Sequence, residues 1–275
     1  MSDIFKVAAV QMDCVLADVQ ANLRLAEKLI RQAAAQGAQM VVVPELFATG
    51  YRVEEQDAAL AETVPGATTD WLVGLCRELQ IHLVGALIEK AAPNGQEQLF
   101  DTAVLVGPDG LVGRYRKACL WGTENQRFAK GEAQYDAVFD IGPCKVGLQI
   151  CYEVGFPEPA RIMALHGADI VVYTAAFGLA RLYAWDLASR ARALENGFYV
   201  IAANRAGVEK QETVFAGASR IVGPQGNILA AAAEGEANQV LVAALDLAQV
   251  DEQRRAIPYL QDLRRREIAA YYSVN

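Results

Sequence analysis

The sequence predicts an α/β fold, an αββα sandwich in which two mixed β-sheets pack together and helices cover the outer face of each sheet. Short, continuous apolar runs such as residues 40–43 are typical of strands that are buried on both sides of a sheet. Segments with one apolar helical face alternate with these runs. The second half of the chain repeats the plan of the first, with helices before hairpins. Two similar halves therefore indicate two packed sheets.

The first half opens with a strand, a helix and a second strand, predicted at residues 5–11, 19–36 and 40–43. Gly37 follows the helix and ends it. A further helix at residues 69–79 leads into three strands at 81–88, 100–106 and 111–115. Turn residues at 93–95 and 107–110 separate these three strands, which therefore form a meander of hairpins.

The second half alternates strands and helices before a hairpin of its own. Its strands are predicted at residues 145–150, 170–173, 199–203, 218–222, 228–232 and 239–245, and its helices at 158–166 and 182–196. A second turn of the Gly-Pro-x-Gly type, at residues 223–226, joins two of these strands. Terminal helices are expected to follow, and the basic run at residues 264–266 is predicted to be the solvated face of a short helix.

Length and composition predict a single folded domain over residues 1–275. Of the 275 residues, 53% are hydrophobic and 21% are charged, and no linker or low-complexity tract interrupts them. The net charge of −8 disfavours binding to nucleic acid or to an anionic membrane, because both attract clusters of Lys and Arg.

The expected location follows from the absence of targeting signals in the sequence. No apolar stretch approaches the roughly 20 residues that span a bilayer, and the N-terminus lacks a secretory signal. The five cysteines form no CxxC pair and no framework of a small secreted domain. We therefore expect a cytoplasmic protein with reduced thiols.

Two candidate reactive residues directly follow buried strands. Glu45 comes after the strand at 40–43, and Cys151 comes after the strand at 145–150. Ligands of α/β proteins bind beyond such strand ends. On position alone, however, structural roles are favoured: a surface loop carboxylate for Glu45, and a small core residue for Cys151, because free cysteine is among the most buried residue types.

The scarcity of histidine changes the balance between the reactive and the structural roles of these two residues. His82 lies inside a predicted strand, and His166 precedes Gly167 at a predicted helix end, where a histidine complements the helix dipole. Both of the 2 histidines therefore have structural explanations. A Cys-His pair, a Ser-His-Asp triad and a histidine metal site are poorly supported.

A nucleophilic cysteine without a histidine needs a carboxylate base and a cation that holds the thiolate, since a free thiol is only slightly ionised at neutral pH. Lys117 follows the predicted strand at residues 111–115 and can supply the positive charge. Glu124 lies in an aromatic-rich loop and can supply a second carboxylate. An exposed lysine and a loop salt bridge are the structural alternatives for these two residues.

The chain resembles the nitrilase superfamily of carbon-nitrogen hydrolases in four stretches. They are residues 7–12 (VAAVQM), 43–51 (VPELF followed by TGY), 115–117 (YRK) and 147–158 (GLQICYE followed by FPE). The resemblance extends over nearly the whole chain. It implies a nitrilase-like sandwich in which Glu45, Lys117 and Cys151 form a catalytic set in that order along the chain. Glu124 is similar to the second glutamate that the family places between its Lys and Cys.

Two departures from the family pattern concern the substrate. Many relatives have His two residues after the catalytic Lys, where this chain has Cys119. Members that cleave nitriles tend to have Trp directly after the nucleophile, whereas Tyr152 resembles the amide-cleaving branches. The resemblance therefore implies hydrolysis of a small amide. Conversion of a nitrile and a catalytically silent module with a redox-sensitive cysteine are the alternatives.

The resemblance also implies a mechanism through a Cys151 thioester, with no cofactor and no metal. Glu45 would act as general base and then acid, and Lys117 would stabilise the oxyanion together with the backbone N–H of Tyr152. Glu124 would hold Glu45, Lys117 or the amino group of the substrate in place. A homodimer or a larger homo-oligomer is implied as the assembly. Candidates for substrate binding, with core packing as the alternative, are Tyr51, Trp121, Tyr152, Ala175 and Phe177.

Overall fold

The computed structural model describes residues 4–93, 95–132, 136–233 and 236–263. The strands are β1 (Ile4–Gln11), β2 (Met40–Val42), β3 (His82–Ala91), β4 (Gln98–Gly107), β5 (Gly110–Arg116), β6 (Val138–Asp140), β7 (Lys145–Ile150), β8 (Ile170–Ala175), β9 (Tyr199–Asn204), β10 (Val208–Glu209), β11 (Thr213–Val214), β12 (Arg220–Val222), β13 (Ile228–Ala231) and β14 (Gln239–Asp246). The α-helices are α1 (Val19–Ala35), α2 (Asp57–Leu60), α3 (Ala67–Leu79), α4 (Glu124–Arg127), α5 (Pro157–Leu165), α6 (Leu182–Asn196), α7 (Ala248–Ala256) and α8 (Tyr259–Asp262). Short 3-10 helices lie at Glu54–Gln56, Cys151–Gly155 and Leu179–Arg181.

The strands form two mixed sheets of six strands and one small hairpin. The first sheet has the order β14-β1-β2-β3-β4-β5, and the second has the order β13-β12-β9-β8-β7-β6. Strands β1, β2 and β3 are parallel to one another, as are β7, β8 and β9. Each of the remaining strands in the two sheets pairs in the antiparallel sense with its neighbours. The predicted pair of mixed sheets is confirmed.

Apolar side chains of both sheets share one core. Val7 and Val84 of the first sheet belong to the same buried cluster as Leu148 and Val172 of the second. The opposite face of the first sheet packs against α1 and α3, and the second sheet packs against α5 and α6. The layers are therefore helix, sheet, sheet and helix, as predicted. Within the described ranges, no helix is long and apolar enough to cross a membrane.

Most predicted elements agree with the structure, and the differences concern short elements. The predictions at 145–150 and 182–196 coincide with β7 and α6, whereas α3 begins two residues before its prediction and β12 two residues after. The sequence does not predict α2, α4, β6 or the hairpin of β10 and β11. These segments of two to four residues are too short to show a periodic pattern. The basic run at 264–266 lies outside the described residues.

The sheet topology brings several strand ends to one edge. The chain runs from β2 into Glu45, and from β7 into Cys151. Strand β4 is antiparallel to both β3 and β5, so β5 runs in the same direction as β3. Lys117 follows the end of β5 and therefore lies at the same edge of the sheet as Glu45. The antiparallel strand β4 has its beginning there, and Asp101 lies near that beginning.

Candidate active site

Cys151 directly follows β7 and is the first residue of a 3-10 helix, where the chain turns sharply. Its φ of +47° is in the left-handed region, which residues other than glycine rarely adopt. Its exposed fraction is 5%. Leu46, directly after Glu45, has a similar φ of +48°. A left-handed residue at each position turns the chain abruptly at the strand end, and such backbone conformations are concentrated at functional sites.

Lys117 is the centre of a buried cluster of charges. Its ammonium nitrogen, Nζ, lies 2.6 Å from Glu45 Oε1, 2.9 Å from Glu124 Oε1 and 3.3 Å from Asp101 Oδ2. All four side chains are inaccessible to solvent. The structural alternatives of an exposed lysine and a surface carboxylate therefore do not hold for these residues, and the fold brings Glu45, Lys117 and Glu124 together as the sequence predicts.

Glu45 is held between the ammonium and the backbone of the second sheet. Its Oε2 accepts a hydrogen bond of 2.7 Å from the backbone N–H of Ala176, which follows β8. The Cys151 thiol lies beside the Glu45 carboxylate and helps to lower its pKa. A carboxylate base is therefore in contact with the candidate nucleophile. The sequence analysis missed Ala176, because it acts through its backbone and its side chain gives no chemical signal.

Glu124 connects the charged cluster to two aromatic residues. Besides the Lys117 ammonium, its carboxylate accepts hydrogen bonds from the Tyr51 hydroxyl and, over 2.7 Å, from the backbone N–H of Trp121. These three donors hold the carboxylate in place at the first turn of α4. Glu124 thus fixes the side chain of Tyr51 and the backbone of Trp121 relative to Lys117.

Tyr51 is positioned by a second buried ion pair. Gly50 has a φ of +84°, and a Cβ there would lie 2.8 Å from Glu209 Oε1, so glycine lets the chain turn beside this carboxylate. Glu209 accepts a hydrogen bond of 3.1 Å from the backbone N–H of Tyr51 and lies 2.6 Å from Arg205 Nη1. This contact joins the loop after β2 to the hairpin of β10 and β11.

The charged neighbours shift the pKa values within the cluster. Burial alone would lower the pKa of Lys117, but the Glu124 and Glu45 carboxylates hold it well above its usual value. Burial alone would raise the pKa of Glu45, but the charge of the Lys117 ammonium and its hydrogen bond hold the pKa below its usual value. Lys117 is therefore charged, and Glu45 is an ionised base at neutral pH.

Cys151 is a thiol in the resting structure. Burial first, and the Glu45 carboxylate second, raise the pKa of Cys151 well above its usual value, and Lys117 opposes this shift only in part. The sequence predicts that Lys117 holds a thiolate, and in this respect the structure differs. The ammonium is surrounded by carboxylates, so its charge is already compensated before a thiolate can form.

Asp101 is the member of the cluster that the sequence analysis missed. It lies directly opposite Lys117, whose backbone N–H donates to the Asp101 carbonyl oxygen over 2.8 Å. One carboxylate oxygen from each of Glu45, Asp101 and Glu124 lies within 4.8 Å of the other two, a spacing that would suit a metal ion. The Lys117 ammonium contacts all three carboxylates and supplies the positive charge that a metal ion would otherwise provide.

Glu153 links the segment that contains Cys151 to the segment that contains Lys117. Its Oε1 accepts hydrogen bonds from the Tyr115 hydroxyl over 2.6 Å and from the backbone N–H of Ala118 over 2.9 Å. Its Oε2 accepts from the backbone N–H of Ile150 over 2.9 Å. The ends of two strands from different sheets, β5 and β7, are thus fixed by one fully buried carboxylate.

A cavity of about 610 Å³ lies beside the cluster, and Tyr51, Trp121 and Ala176 contribute to its wall. The ring of Tyr152 packs against the ring of Trp121, with 4.9 Å between the centroids. Ala175 is fully buried as the last residue of β8.

Two further aromatic contacts concern this part of the fold. The ring of Phe177 packs against the core residue Trp185, with 5.2 Å between the centroids. Arg181 also lines the cavity, and its guanidinium carbon lies 4.3 Å from the centroid of the Trp121 ring. The binding roles predicted for Tyr51, Trp121, Tyr152, Ala175 and Phe177 stay predictions.

Proteins of known family and function are similar to this chain over nearly its whole length. The family model described as Carbon-nitrogen hydrolase matches residues 6–255. The chain is 40% identical over 270 residues to a nitrilase of Pyrococcus abyssi, covering 97% of this chain and 98% of the relative. It is 37% identical over 271 residues to the omega-amidase NIT2-A of Xenopus laevis, covering 95% of each chain.

Solved structures of an amidase from Nesterenkonia sp. AN1 are similar in fold. One has 31% sequence identity and a TM-score of 0.83, covers 98% of this chain and 97% of that chain, and shows covalent addition of the acetamide moiety of fluoroacetamide at the active site cysteine. Another, with 32% identity and a TM-score of 0.82 over the same shares, is in complex with butyramide.

Proposed function

Because the chain belongs to the carbon-nitrogen hydrolase family, we propose that it hydrolyses a small amide to a carboxylic acid and ammonia through a thioester on Cys151. Its similarity to omega-amidases and to an amidase makes it an amidase-like carbon-nitrogen hydrolase. The observation that carries the finer proposal is that the ionised Glu45 carboxylate contacts both the Cys151 thiol and the Lys117 ammonium. A base, a nucleophile and a cation thus share one buried site.

The proposed reaction begins with attack of the Cys151 sulfur on the carbonyl carbon of the amide. Glu45 takes the thiol proton as the carbon-sulfur bond forms, because the raised pKa of Cys151 and the lowered pKa of Glu45 disfavour a free thiolate before attack. Glu45 then gives this proton to the nitrogen as the carbon-nitrogen bond breaks. Ammonia leaves, and the acyl group stays on sulfur as a thioester.

Hydrolysis of the thioester repeats the sequence with water as the nucleophile. Glu45 takes a proton from water, which attacks the thioester carbon, and the carbon-sulfur bond breaks. The sulfur recovers the proton from Glu45, and the carboxylic acid leaves. No redox step occurs, and the carboxylate and the thiol return to their starting states.

Two groups are proposed to stabilise the tetrahedral oxyanion. The backbone N–H of Tyr152 follows the nucleophile directly, and a donor of this type contributes roughly 3 kcal/mol to such a transition state. Lys117 already donates to three carboxylates, so in this proposal it acts on the oxyanion through its charge. Glu124 is proposed to position Lys117 and the cavity wall rather than to exchange a proton.

Hydrolysis of a nitrile is the second candidate, and one observation favours it. The Pyrococcus abyssi relative that is described as a nitrilase is 40% identical to this chain. The residue after Cys151 is Tyr152, however, which resembles the amide-cleaving branches. A matched nitrile and amide of the same carbon skeleton, assayed in parallel for ammonia and acid, distinguish the two reactions.

The experiment that tests the proposal measures ammonia release from a panel of small amides that includes butyramide. We expect Cys151→Ala to abolish release, and Glu45→Gln to fold normally and to lose about two to four orders of magnitude in kcat/KM. Cys76→Ser is the matched control, because a serine hydroxyl can replace the contact of 3.6 Å between the Cys76 sulfur and the Val106 carbonyl. Full activity of Cys151→Ala would refute the mechanism. Labelling of Cys151 without hydrolysis of any amide would favour a catalytically silent module.

A further inference from the structure

We propose that Asp101 is a neutral carboxylic acid in the resting enzyme and that it positions Glu45 and Lys117 for the reaction. The inference rests on the proposed function, in which Glu45 is the base and Lys117 the cation. It assigns a role to a buried carboxyl group that the proposed chemistry leaves unused. The observations that carry it are the hydrogen bonds of the cluster, its charge and its isolation from solvent.

The first observation is that one oxygen of Asp101 lacks a donor. Asp101 Oδ2 accepts from the Lys117 ammonium over 3.3 Å, but Oδ1 has no hydrogen-bond partner within the part of the chain that the structure describes. The residue is 1% exposed. A buried carboxylate oxygen without a donor is costly. A proton on Asp101 removes that cost, because the group then donates to the neighbouring Glu45 carboxylate.

The second observation is the charge of the cluster. Glu45, Glu124 and Asp101 surround the single ammonium of Lys117, and all four side chains are buried. With every carboxyl group ionised, two negative charges would stay uncompensated in a site without solvent. Carboxylates so close together do not all ionise, and one of them holds a proton instead. The same proton keeps the site able to accept the negative charge that develops on sulfur and on the oxyanion.

The third observation decides which group holds the proton. The carboxylate of Glu45 accepts hydrogen bonds from Lys117 and from the backbone of Ala176, and it contacts the thiol. Glu124 accepts from Lys117, from a tyrosine hydroxyl and from a backbone N–H. The side chain of Asp101 accepts from Lys117, at the longest of the three ammonium contacts. Asp101 is therefore the anion that the site stabilises least.

The groups that face Asp101 agree with this assignment. They are Glu45 from the loop after β2, Lys117 from the end of β5 and Glu124 from α4, while the residue opposite on β3 is the apolar Ile88. Burial first, and the Glu45 carboxylate second, raise the pKa of Asp101 well above its usual value, and Lys117 opposes this shift in part. The hydrogen bond from Asp101 lowers the pKa of Glu45, which keeps Glu45 available as a base.

A pH dependence follows from the direction of the shift. Below its raised pKa, Asp101 carries the proton and the site is competent. As the pH rises through that pKa, the proton is lost, and the added negative charge opposes both thiolate formation and the oxyanion. Activity therefore falls on the alkaline side. An asparagine at this position has the same shape, donates to Glu45 through its amide and cannot ionise.

The test compares Asp101→Asn, Asp101→Ala and the control Asp109→Asn, which changes an exposed residue at the turn of the same hairpin. With butyramide or another amide that the enzyme accepts, kcat and KM are measured from about pH 5 to about pH 10. We expect Asp101→Asn to stay within about threefold of the unmodified enzyme at neutral pH and to lack the alkaline fall. Asp101→Ala should lose on the order of tenfold to a hundredfold in kcat. Equal losses in both variants, with an unchanged alkaline fall, would show that an ionised Asp101 is required.

A second readout does not depend on turnover. Infrared spectra of protein labelled with ¹³C in the aspartate carboxyl groups should contain the carbonyl stretch of a neutral carboxylic acid at neutral pH. That band should disappear in Asp101→Asn or Asp101→Ala and persist in Asp109→Asn. If the protein hydrolyses no amide but the band is present, the proposed function fails and the protonation of Asp101 stands. If hydrolysis depends on Cys151 but the band is absent, the inference about Asp101 alone is wrong.

Discussion

The carboxylate of Glu153 accepts a hydrogen bond of 2.9 Å from the backbone N–H of Ala118, and this bond ties the turn after Cys151 to the segment after Lys117. The two segments belong to different sheets. The position of the nucleophile relative to the ammonium is therefore supported by a buried carboxylate that does not bond to the Lys117 ammonium. Because Glu153 is fully buried and accepts from several donors, the link is rigid.

We expect Glu153→Gln to lower kcat by on the order of tenfold to a hundredfold. The amide nitrogen of the glutamine would face a backbone N–H group that now donates a hydrogen bond to the carboxylate, and two donors cannot bond to each other. The midpoint of thermal unfolding should fall as well. The control is Glu158→Gln, which removes the charge of a partly exposed glutamate on α5. Steady-state kinetics and thermal melts of both variants check the prediction, and an unchanged kcat in Glu153→Gln would contradict it.

Removal of the Lys117 ammonium should destabilise the protein in a pH-dependent way. Lys117→Met leaves buried carboxylates without their cation, and loss of one partner of a buried ion pair costs about 3–5 kcal/mol in free energy of unfolding. Without the ammonium, burial should raise the pKa values of Glu45 and Asp101 in the folded state above their unfolded values. A group with a raised pKa loses stability as the pH rises, so the deficit should be smaller in acid than at neutral pH.

Denaturant melts of Lys117→Met and of the unmodified protein at several pH values measure that difference. Lys130→Met, which changes an exposed lysine, is the control. The reaction scheme further predicts that Lys117→Met releases no ammonia. A deficit that grows as the pH falls would show that the carboxylates are not the source of the instability.

Glu45, Lys117 and Cys151 could be predicted from the sequence because each of them follows the end of a predicted strand. Buried apolar runs precede Glu45 and Cys151, and the direction of the hairpin strands carries Lys117 to the same edge. The fold class followed from the same runs. Sequence alone could not show that all of these groups are shielded from solvent, which is a property of the packed sheets.

The residues that were missed act through features without a sequence pattern. Asp101 lies near the start of an antiparallel strand, so it interrupts an apolar run and becomes part of the site only through the pairing of β4 with β5. Ala176 contributes a backbone N–H. The protonation of Cys151 depends on the summed charge of its neighbours, which no single motif encodes.

Alkylation of Cys151 should depend on Glu45. Since the pKa of Cys151 is raised, little thiolate exists at neutral pH, and reaction with iodoacetamide needs the carboxylate to take the proton. We expect Glu45→Gln to slow labelling by on the order of tenfold or more. The pKa of Glu45 is lowered from the ordinary glutamate value of 4.5. In the unmodified protein, labelling should therefore persist in acid until the pH falls below 4.5 and Glu45 becomes protonated. Mass spectrometry of the peptide that contains Cys151 follows the rate, and equal rates in the two proteins would contradict the contact.

Arg181 should affect substrate binding more than turnover. Its guanidinium stacks on Trp121, which is 37% exposed at the wall of the cavity, so Arg181→Ala frees this ring to move. We expect KM to rise by roughly threefold to tenfold, with kcat within about twofold of the unmodified enzyme. Arg181→Lys keeps a cation above the ring and should be intermediate. A loss confined to kcat would indicate that Trp121 takes part in the chemistry instead of binding.

The predicted homo-oligomer can be tested on the exposed face of α6. Tyr183 and Leu187 lie one turn apart and are 76% and 68% exposed, and Leu194 continues the same face at 40%. Apolar side chains grouped in this way are typical of surfaces that pair with a second copy. We expect light scattering to give the mass of a dimer or a larger assembly, and Leu187→Asp to lower that mass without loss of folding. Val15→Asp changes an apolar side chain of similar exposure, 54%, in the loop before α1 and should leave the mass unchanged. A monomer in the unmodified protein at every concentration would show that the assembly implied by the resemblance is wrong.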